Sequence, residues 1–156
     1  MNKATILITG SNGFLGQELR SILENNDFNI IATGIGPDQL SSNKSLYVEL
    51  DITSFDRCDY ILNKYQPSII VNSAAFTNVD QCESNPKRCY SVNTQSIDNF
   101  IPYIKKNNTH FIQISTDFVF DGNQEWYTER DICNPINVYG FSKLKAESKI
   151  LENHVQ

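Results

Sequence analysis

The sequence predicts a doubly wound α/β domain, a parallel sheet with helices on both faces. Three observations carry that expectation. Short β-branched runs alternate with longer stretches of helical spacing from the first residues onward. Several of the short runs are apolar on both faces, as a strand must be when helices cover each side of its sheet. The first run also passes straight through closely spaced glycines into a helical stretch, which marks a tight strand-to-helix turn.

In chain order, strands are expected at Thr5–Thr9, Asn29–Thr33, Leu46–Leu50, Ser68–Asn72 and His110–Ser115. The helix after the first strand is expected to bury a stripe of Leu15, Leu19, Ile22 and Leu23, and the helix after the third a stripe of Phe55, Cys58, Ile61 and Leu62. A third helical stretch runs through Cys89, Val92, Ile97, Phe100, Ile101 and Ile104. A capping pair in Asp80 and Glu83 opens it, and Pro102 kinks or shortens its end. The last helix covers Tyr139 to Glu152. The order β-α-β-loop-β-α-β-α-β-α calls for right-handed crossovers within one sheet. The longest irregular piece, Thr116 to Val138, is rich in Asp, Asn and Gly, and loops that long inside a compact domain are usually functional.

Size and composition set limits. The 156 residues suit a single domain over 1–156 with its own core, and a chain that is 40% hydrophobic and 20% charged is far from the composition of disorder. Thirteen Lys and Arg against eighteen Asp and Glu leave a net charge of −5, which argues against broad electrostatic binding to nucleic acid or anionic lipid. Any phosphate bound here must be held by local geometry. The cysteines at 58, 82, 89 and 133 form no C-x-x-C pair, and His110 and His154 stand at no zinc spacing, so neither a metal clip nor a disulfide framework is expected. The opening apolar run is too short for a signal-peptide core, and no stretch approaches the roughly 20 residues of a membrane span. The expectation is a soluble, reduced, cytoplasmic chain.

The glycines lie in Gly10-Ser-Asn-Gly13-Phe-Leu-Gly16, with the spacing G-x-x-G-x-x-G. Glycine lets a ligand approach the backbone, and the free N–H groups at the helix start favour a pyrophosphate. A tight turn with close helix packing explains the same residues without a ligand. Placement directly between the first strand and a helix favours the nucleotide reading. An acidic residue that holds the adenine-side ribose is commonly found about 20 positions further on, at the end of the second strand. Here Thr33-Gly34-Ile35-Gly36 stands in that place and Asp38 comes late. Nothing in that stretch repels a 2′-phosphate and no arginine favours one, so NADPH and NADH are both allowed. Asp51, just after the third strand, is either the N-cap of the next helix or a contact to adenine.

Tyr139 and Lys143 stand at i and i+4 and so share a helix face. A free tyrosine titrates near about 10, and an adjacent fixed ammonium stabilises the phenolate and lowers that value toward the range of acid-base chemistry at neutrality. Such pairs are common on solvated helices. This one gains meaning from the stretches that follow the fourth and fifth strands, Asn72-Ser-Ala-Ala-Phe-Thr77 and Ser115-Thr116-Asp117, because an open parallel sheet forms its binding crevice at the strands' carboxyl ends. Asn93 falls on the apolar face of its helix between Cys89 and Ile97, where a buried amide needs partners, either in the main chain or in an active site.

Together, Gly10-x-x-Gly13-x-x-Gly16, Asp51-Ile52, the run Val71 to Glu83, the run Ser115 to Gly122 and Tyr139-x-x-x-Lys143 resemble the Rossmann-like extended short-chain dehydrogenase/reductases, and within them the dTDP-4-dehydrorhamnose reductase family. The resemblance runs over essentially the whole chain. It implies NAD(P)H-dependent reduction of the C4 ketone of dTDP-4-dehydro-6-deoxy-L-mannose to dTDP-L-rhamnose. By position it implies three catalytic residues: Tyr139 protonating the C4 alkoxide, Lys143 lowering the tyrosine value and holding the nicotinamide ribose, and Thr116 bonding the ketone. It implies that Gly10, Gly13, Phe14, Leu15 and Gly16 wrap the pyrophosphate and that Asp51 and Ile52 meet the adenine. Ala74, Ala75, Phe76 and Thr77 then line the cofactor, with Asn93 also at it, and Asp117 joins Thr116 in facing the sugar. The partner implied is a dTDP-sugar, with neither nucleic acid nor membrane, and a homodimer of the full-length enzyme is left open. Some relatives share a Mg²⁺ between subunits through the position of Glu18, but its other ligands lie beyond residue 156 and no metal site is assigned.

Two departures stand out. Asn72-Ser-Ala-Ala replaces the family's N-A-A-A, a small change. The family also continues past the Tyr/Lys helix into another strand and a lobe that binds the nucleotide-sugar, so the chain is expected to be the N-terminal part of such an enzyme, binding cofactor weakly and turning over little or no substrate. Two other functions suit the same motifs. One is a nucleotide-sugar epimerase or dehydratase, which returns the hydride to its substrate. The other is a non-catalytic NADP-binding regulatory subunit like the β subunit of methionine adenosyltransferase.

Overall fold

The computed structural model describes residues 3–153, so His154 lies outside the described residues. Its five strands form one parallel sheet: β1 (Ala4–Thr9), β2 (Phe28–Gly34), β3 (Leu46–Glu49), β4 (Ile69–Asn72) and β5 (His110–Gln113). They run in the order β3-β2-β1-β4-β5, so the winding reverses at β1 and a crevice opens at the carboxyl ends of β1 and β4. The strands lie where the sequence predicts them, with β5 ending at Gln113 short of Ser115.

Side-chain alternation explains why both faces are apolar. Ile6, Leu7 and Ile8 are consecutive and all buried. Leu7 joins Ile31, Ile70 and Phe111 in a core covered by α2 (Phe55–Tyr65), α5 (Ile101–Asn107) and α6 (Val138–Glu152). On the other face Ile6, Ile8, Ile30 and Val71 pack under Leu19 and Leu23 of α1 (Phe14–Leu23). Among the described residues no helix is long and apolar enough to cross a membrane.

The stripes differ from expectation in an instructive way. Leu15 and Ile22 are exposed, as is Phe55 at the start of α2. What α1 buries instead is Gly16 and Arg20. The guanidinium tolerates burial because every edge is partnered: it donates to both oxygens of Asp38 at 2.5 and 2.8 Å, to Glu24 at 3.1 Å and to Ser45 at 2.6 Å. Ser42 and Ser45 in turn donate to Glu24. This network fastens the β2–β3 connection to α1.

The third helical stretch is divided into α3 (Val79–Ser84), α4 (Pro86–Asn93), a 3₁₀ turn at Gln95–Asn99 and α5. The capping pair expected at Asp80 and Glu83 does not form. Asn78 caps α3 by accepting from the Gln81 N–H at 2.9 Å, and Glu83 accepts from the Val138 N–H at 2.7 Å. Asn85 caps α4 through the Arg88 N–H. Pro102 begins α5, where its missing N–H is no loss, and so does not kink a helix end.

Asn137 caps α6, accepting from the Gly140 N–H at 2.7 Å. A Cβ at Gly140 would come within 2.2 Å of the Phe118 carbonyl oxygen, so only glycine lets α6 lie against the 3₁₀ turn Asp117–Val119. The rest of the long loop is organised around Asp121, which accepts from Tyr127, the Asn123 N–H and Asn134, while Phe120 and Tyr127 stack at 4.4 Å. Those donors, Tyr127 first, hold the Asp121 carboxyl down at about 2.

Replacing Arg20 with Met is expected to cost about 3–5 kcal/mol, because it strands the buried Glu24 carboxylate, and urea unfolding measures this directly. Burial pushes Glu24 up, but bonds from Ser42, Ser45 and Arg20 outweigh it; the bond from Arg20 likewise lowers Asp38. Both values are thus lower in the folded chain than in the unfolded one. The stability they add is fully present above about pH 5 and fades as the pH falls through the acid range, and the variant should lack that slope.

Candidate functional site

The crevice begins where β1 ends. Gly10 turns the chain at φ +64°, and a Cβ there would lie 2.7 Å from Ala74. The Gly13 N–H donates to the Gly10 carbonyl at 2.9 Å, and a Cβ on Gly16 would come within 2.3 Å of that same oxygen. Strand end, turn and helix start therefore pack backbone on backbone. Gly13, the N-cap of α1, has no side chain with which to occupy the first-turn N–H groups, which face the crevice as anion donors. Ser11 Oγ is buried here with no hydrogen-bond partner among the described residues.

A polar ladder holds the strand ends flush. Thr9 Oγ1 donates to Asn72 Oδ1 at 2.5 Å, Asn72 Nδ2 donates to Gln113 Oε1 at 2.7 Å, and Ser73 Oγ donates to the Thr9 carbonyl at 2.5 Å. Thr9 Oγ1 also accepts from the Ala74 N–H at 3.2 Å, which starts the segment after β4 across the crevice floor.

Above this floor lies a cleft of about 950 Å³. It gathers most of the residues singled out from the sequence: Gly10, Gly13, Phe14, Leu15 and Gly16 from the turn, Asp51 and Ile52 after β3, Ala74, Ala75 and Thr77 after β4, and Tyr139 and Lys143 from α6. Phe76, Asn93, Thr116 and Asp117 fall outside the lining. Asn93 is buried and finds its partners in the main chain and in α6. Its Oδ1 accepts from the Phe76 N–H at 2.7 Å, and its Nδ2 donates to the Phe76 carbonyl at 3.0 Å and to Ser142 Oγ at 2.9 Å. Thr116 and Asp117 follow the lining residue Ser115, where Thr116 Oγ1 donates to Asp117 Oδ1 at 3.2 Å and accepts from the Phe118 N–H at 3.2 Å.

Asp51 does not cap α2. Ser54 occupies the N-cap position, while Asp51 Oδ1 accepts from the Thr53 N–H at 2.9 Å and its hydroxyl at 2.8 Å, leaving an exposed carboxylate at the cleft wall. Asp38, the late acidic residue after β2, is taken up by Arg20 and lies outside the lining.

Burial dominates the electrostatics of both Tyr139 and Lys143. Burial pushes the Tyr139 phenol up, the Thr116 bond opposes it, and Cys82, Cys89 and Asp117 add to the rise. The Lys143 ammonium is 3% exposed, donates to the Ile114 carbonyl, and is lowered by burial to about 8, with Glu147 opposing. At neutral pH the phenol therefore carries its proton as a donor, and the ammonium is charged close to its titration range.

Several lining residues escaped the sequence reading, among them Asn12, Arg88 and Ser91. Asn12 donates to the Ile35 and Pro37 carbonyls and Tyr47 Oη, and accepts from the Gln39 N–H, tying the segment after β2 to the glycine turn. Its place inside the glycine motif was the available signal. Arg88, Ser91 and Val92 share one helix face, a spacing also present in the sequence.

Comparison with known proteins agrees with this geometry. Residues 4–156 match the family profile described as the RmlD substrate binding domain. The chain is 35% identical over 150 residues to dTDP-4-dehydrorhamnose reductase of Aggregatibacter actinomycetemcomitans, covering 95% of this chain and 47% of that protein. It is 29% identical to methionine adenosyltransferase 2 subunit beta of Bos taurus, covering 96% of this chain and 43% of that one. The solved dTDP-4-dehydrorhamnose reductase of Bacillus anthracis, in complex with NADP, is 30% identical with a TM-score of 0.82, over 97% of this chain and 50% of that structure. The chain spans about half the length of the curated relatives it matches. By its fold, its glycine turn and the match along its length, the chain belongs to the RmlD substrate-binding domain family.

Proposed function

We propose that residues 1–156 act as the NAD(P)-binding domain of a nucleotide-sugar reductase that reduces the C4 ketone of dTDP-4-dehydro-6-deoxy-L-mannose to give dTDP-L-rhamnose. The observation that carries this reading is the convergence in one cleft of the glycine turn, the Ala74–Thr77 floor and the Tyr139/Lys143 pair. The residues present suit a dinucleotide. Where Gly10 and Gly16 exclude any Cβ, a pyrophosphate meets bare N–H groups, and the small Ala74 and Ala75 leave room for a flat ring. The relative solved with NADP supports the same cofactor class.

In this reading Gly10, Gly13, Phe14, Leu15 and Gly16 hold the pyrophosphate, Asp51 and Ile52 meet the adenine, and Ala74, Ala75 and Thr77 line the nicotinamide side. Phe76 and Asn93 support that wall from behind. NADPH or NADH supplies the hydride when bound. Tyr139 keeps its proton at neutral pH because burial raises its value, and it delivers that proton to the oxygen at C4. Thr116 holds the ketone oxygen, and Asp117, which accepts from the Thr116 hydroxyl, faces the sugar. Lys143, fixed on the Ile114 carbonyl, keeps its remaining N–H groups for the nicotinamide ribose.

A second reading is favoured by the similarity to methionine adenosyltransferase 2 subunit beta: a dinucleotide-binding regulatory subunit without turnover. Tyr139→Phe separates the two. As a reductase, the enzyme that contains this domain should, with the variant, bind NADPH like wild type in calorimetry while NADPH oxidation with the dTDP-ketosugar falls about 100-fold or more. As a regulatory subunit it should keep its biological activity. Absence of any dinucleotide binding by the wild-type chain would sink both.

The Lys143 charge gives a pH test. Folding lowers its value, so the ammonium is complete only below about 8 and is lost as the pH rises through that point. NADPH affinity is expected to weaken above that pH, and Lys143→Met should bind more weakly with the dependence gone.

A further inference from the structure

A cleft that takes a nucleotide must accommodate two or more phosphate charges, and the chain as a whole carries −5. The glycine turn offers neutral N–H groups. Of the two cations in the lining, Lys143 is buried and committed to the Ile114 carbonyl. The other is Arg88.

Arg88 stands in α4, on the same helix face as Ser91 and Val92, and lines the cleft together with Thr77. Its guanidinium carbon lies 5.1 Å from the centroid of the Phe76 ring. Phe76 is itself clamped at both N–H and carbonyl by Asn93, so the ring that supports the guanidinium is fixed to the buried helix interface. A ring contact of this kind uses none of the guanidinium N–H groups for hydrogen bonds to the ring's neighbours, and those N–H groups match phosphate oxygens in pairs. Among the described residues Arg88 forms no ion pair, in contrast to Arg20, whose every edge is satisfied. An arginine held against an aromatic wall in a cleft, with no carboxylate on it, is arranged to receive an anion.

We propose that Arg88 is a phosphate-binding residue of this cleft, reaching from α4 to the pyrophosphate of a bound nucleotide. The proposal rests on the reading of the cleft as a nucleotide site. Two ligands of that reading carry a pyrophosphate, the dinucleotide cofactor and the nucleoside diphosphate of the sugar substrate, and the test distinguishes them.

The chain is titrated by calorimetry with NADP⁺ and, separately, with dTDP, at low salt and at about 150 mM salt. Arg88→Gln is expected to weaken at least one of these roughly tenfold and to reduce the salt dependence of that ligand. Arg88→Lys keeps the charge but loses the planar fork and is expected to fall between. A loss confined to NADP⁺ assigns Arg88 to the cofactor, a loss confined to dTDP assigns it to the sugar nucleotide, and a loss of both supports contact with each. Because Arg88 is exposed, the urea midpoint of the variant should match wild type. If Arg88→Gln binds both ligands as wild type does, the role of Arg88 is overturned and the cleft reading stands. If the wild-type chain binds neither, both fall together.

Discussion

The carboxyl edge of the sheet depends on one close approach, that of Gly10 to Ala74 on one side and to Gly16 on the other. The separations leave no room for a Cβ at either glycine. Because main chain meets main chain, β1, β4 and α1 are set at a spacing that interposed side chains would widen, and the cleft that results is walled by N–H groups. The ladder from Thr9 through Asn72 to Gln113 sits beneath this contact and holds the three strand ends in line. The positions of the Ala74–Thr77 floor and, through it, of α6 follow from the same contact.

The approach also gives an acidic chain a cleft walled by neutral N–H groups. Charge is not supplied in bulk; the surface is net negative, and one of the chain's arginines, Arg20, is spent on Glu24 and Asp38 inside the fold. That expenditure has a local effect. The carboxylate of Asp38, the acidic residue closest after β2, is drawn away from the cleft lining, while Asn12 draws the backbone of the same segment toward the glycine turn. The end of the cleft beside the segment after β2 is thus shaped by a buried ion network on one side and a single amide on the other.

What was legible in the sequence was local. The strands announced themselves by consecutive β-branched residues, the turn by glycine spacing, and the Tyr139/Lys143 pair by helical periodicity, each a pattern that neighbours in sequence suffice to produce. What was not legible depended on partners far along the chain. Leu15 and Ile22 read as core because apolar residues at helical spacing usually are, yet Arg20 took the buried position once Asp38 and Ser45 arrived from another segment to satisfy it. The third helix read as continuous because its apolar spacing is, while Asn78 and Asn85 each start a new helix by capping and Pro102 sits in the first turn of another. The i, i+4 rule likewise places Tyr139 and Lys143 on one face but says nothing of the Ile114 carbonyl to which the ammonium donates.

Asn93 holds a further consequence. Its amide grips both polar atoms of the Phe76 peptide and, through the Ser142 hydroxyl, which donates to the Tyr139 carbonyl at 2.7 Å, grips the first turn of α6 as well. The wall of the cleft and the helix that carries the phenol are therefore mechanically one piece. A ligand that shifts the wall shifts the phenol with it, so the orientation of the Tyr139 hydroxyl travels with the surface against which the ligand rests.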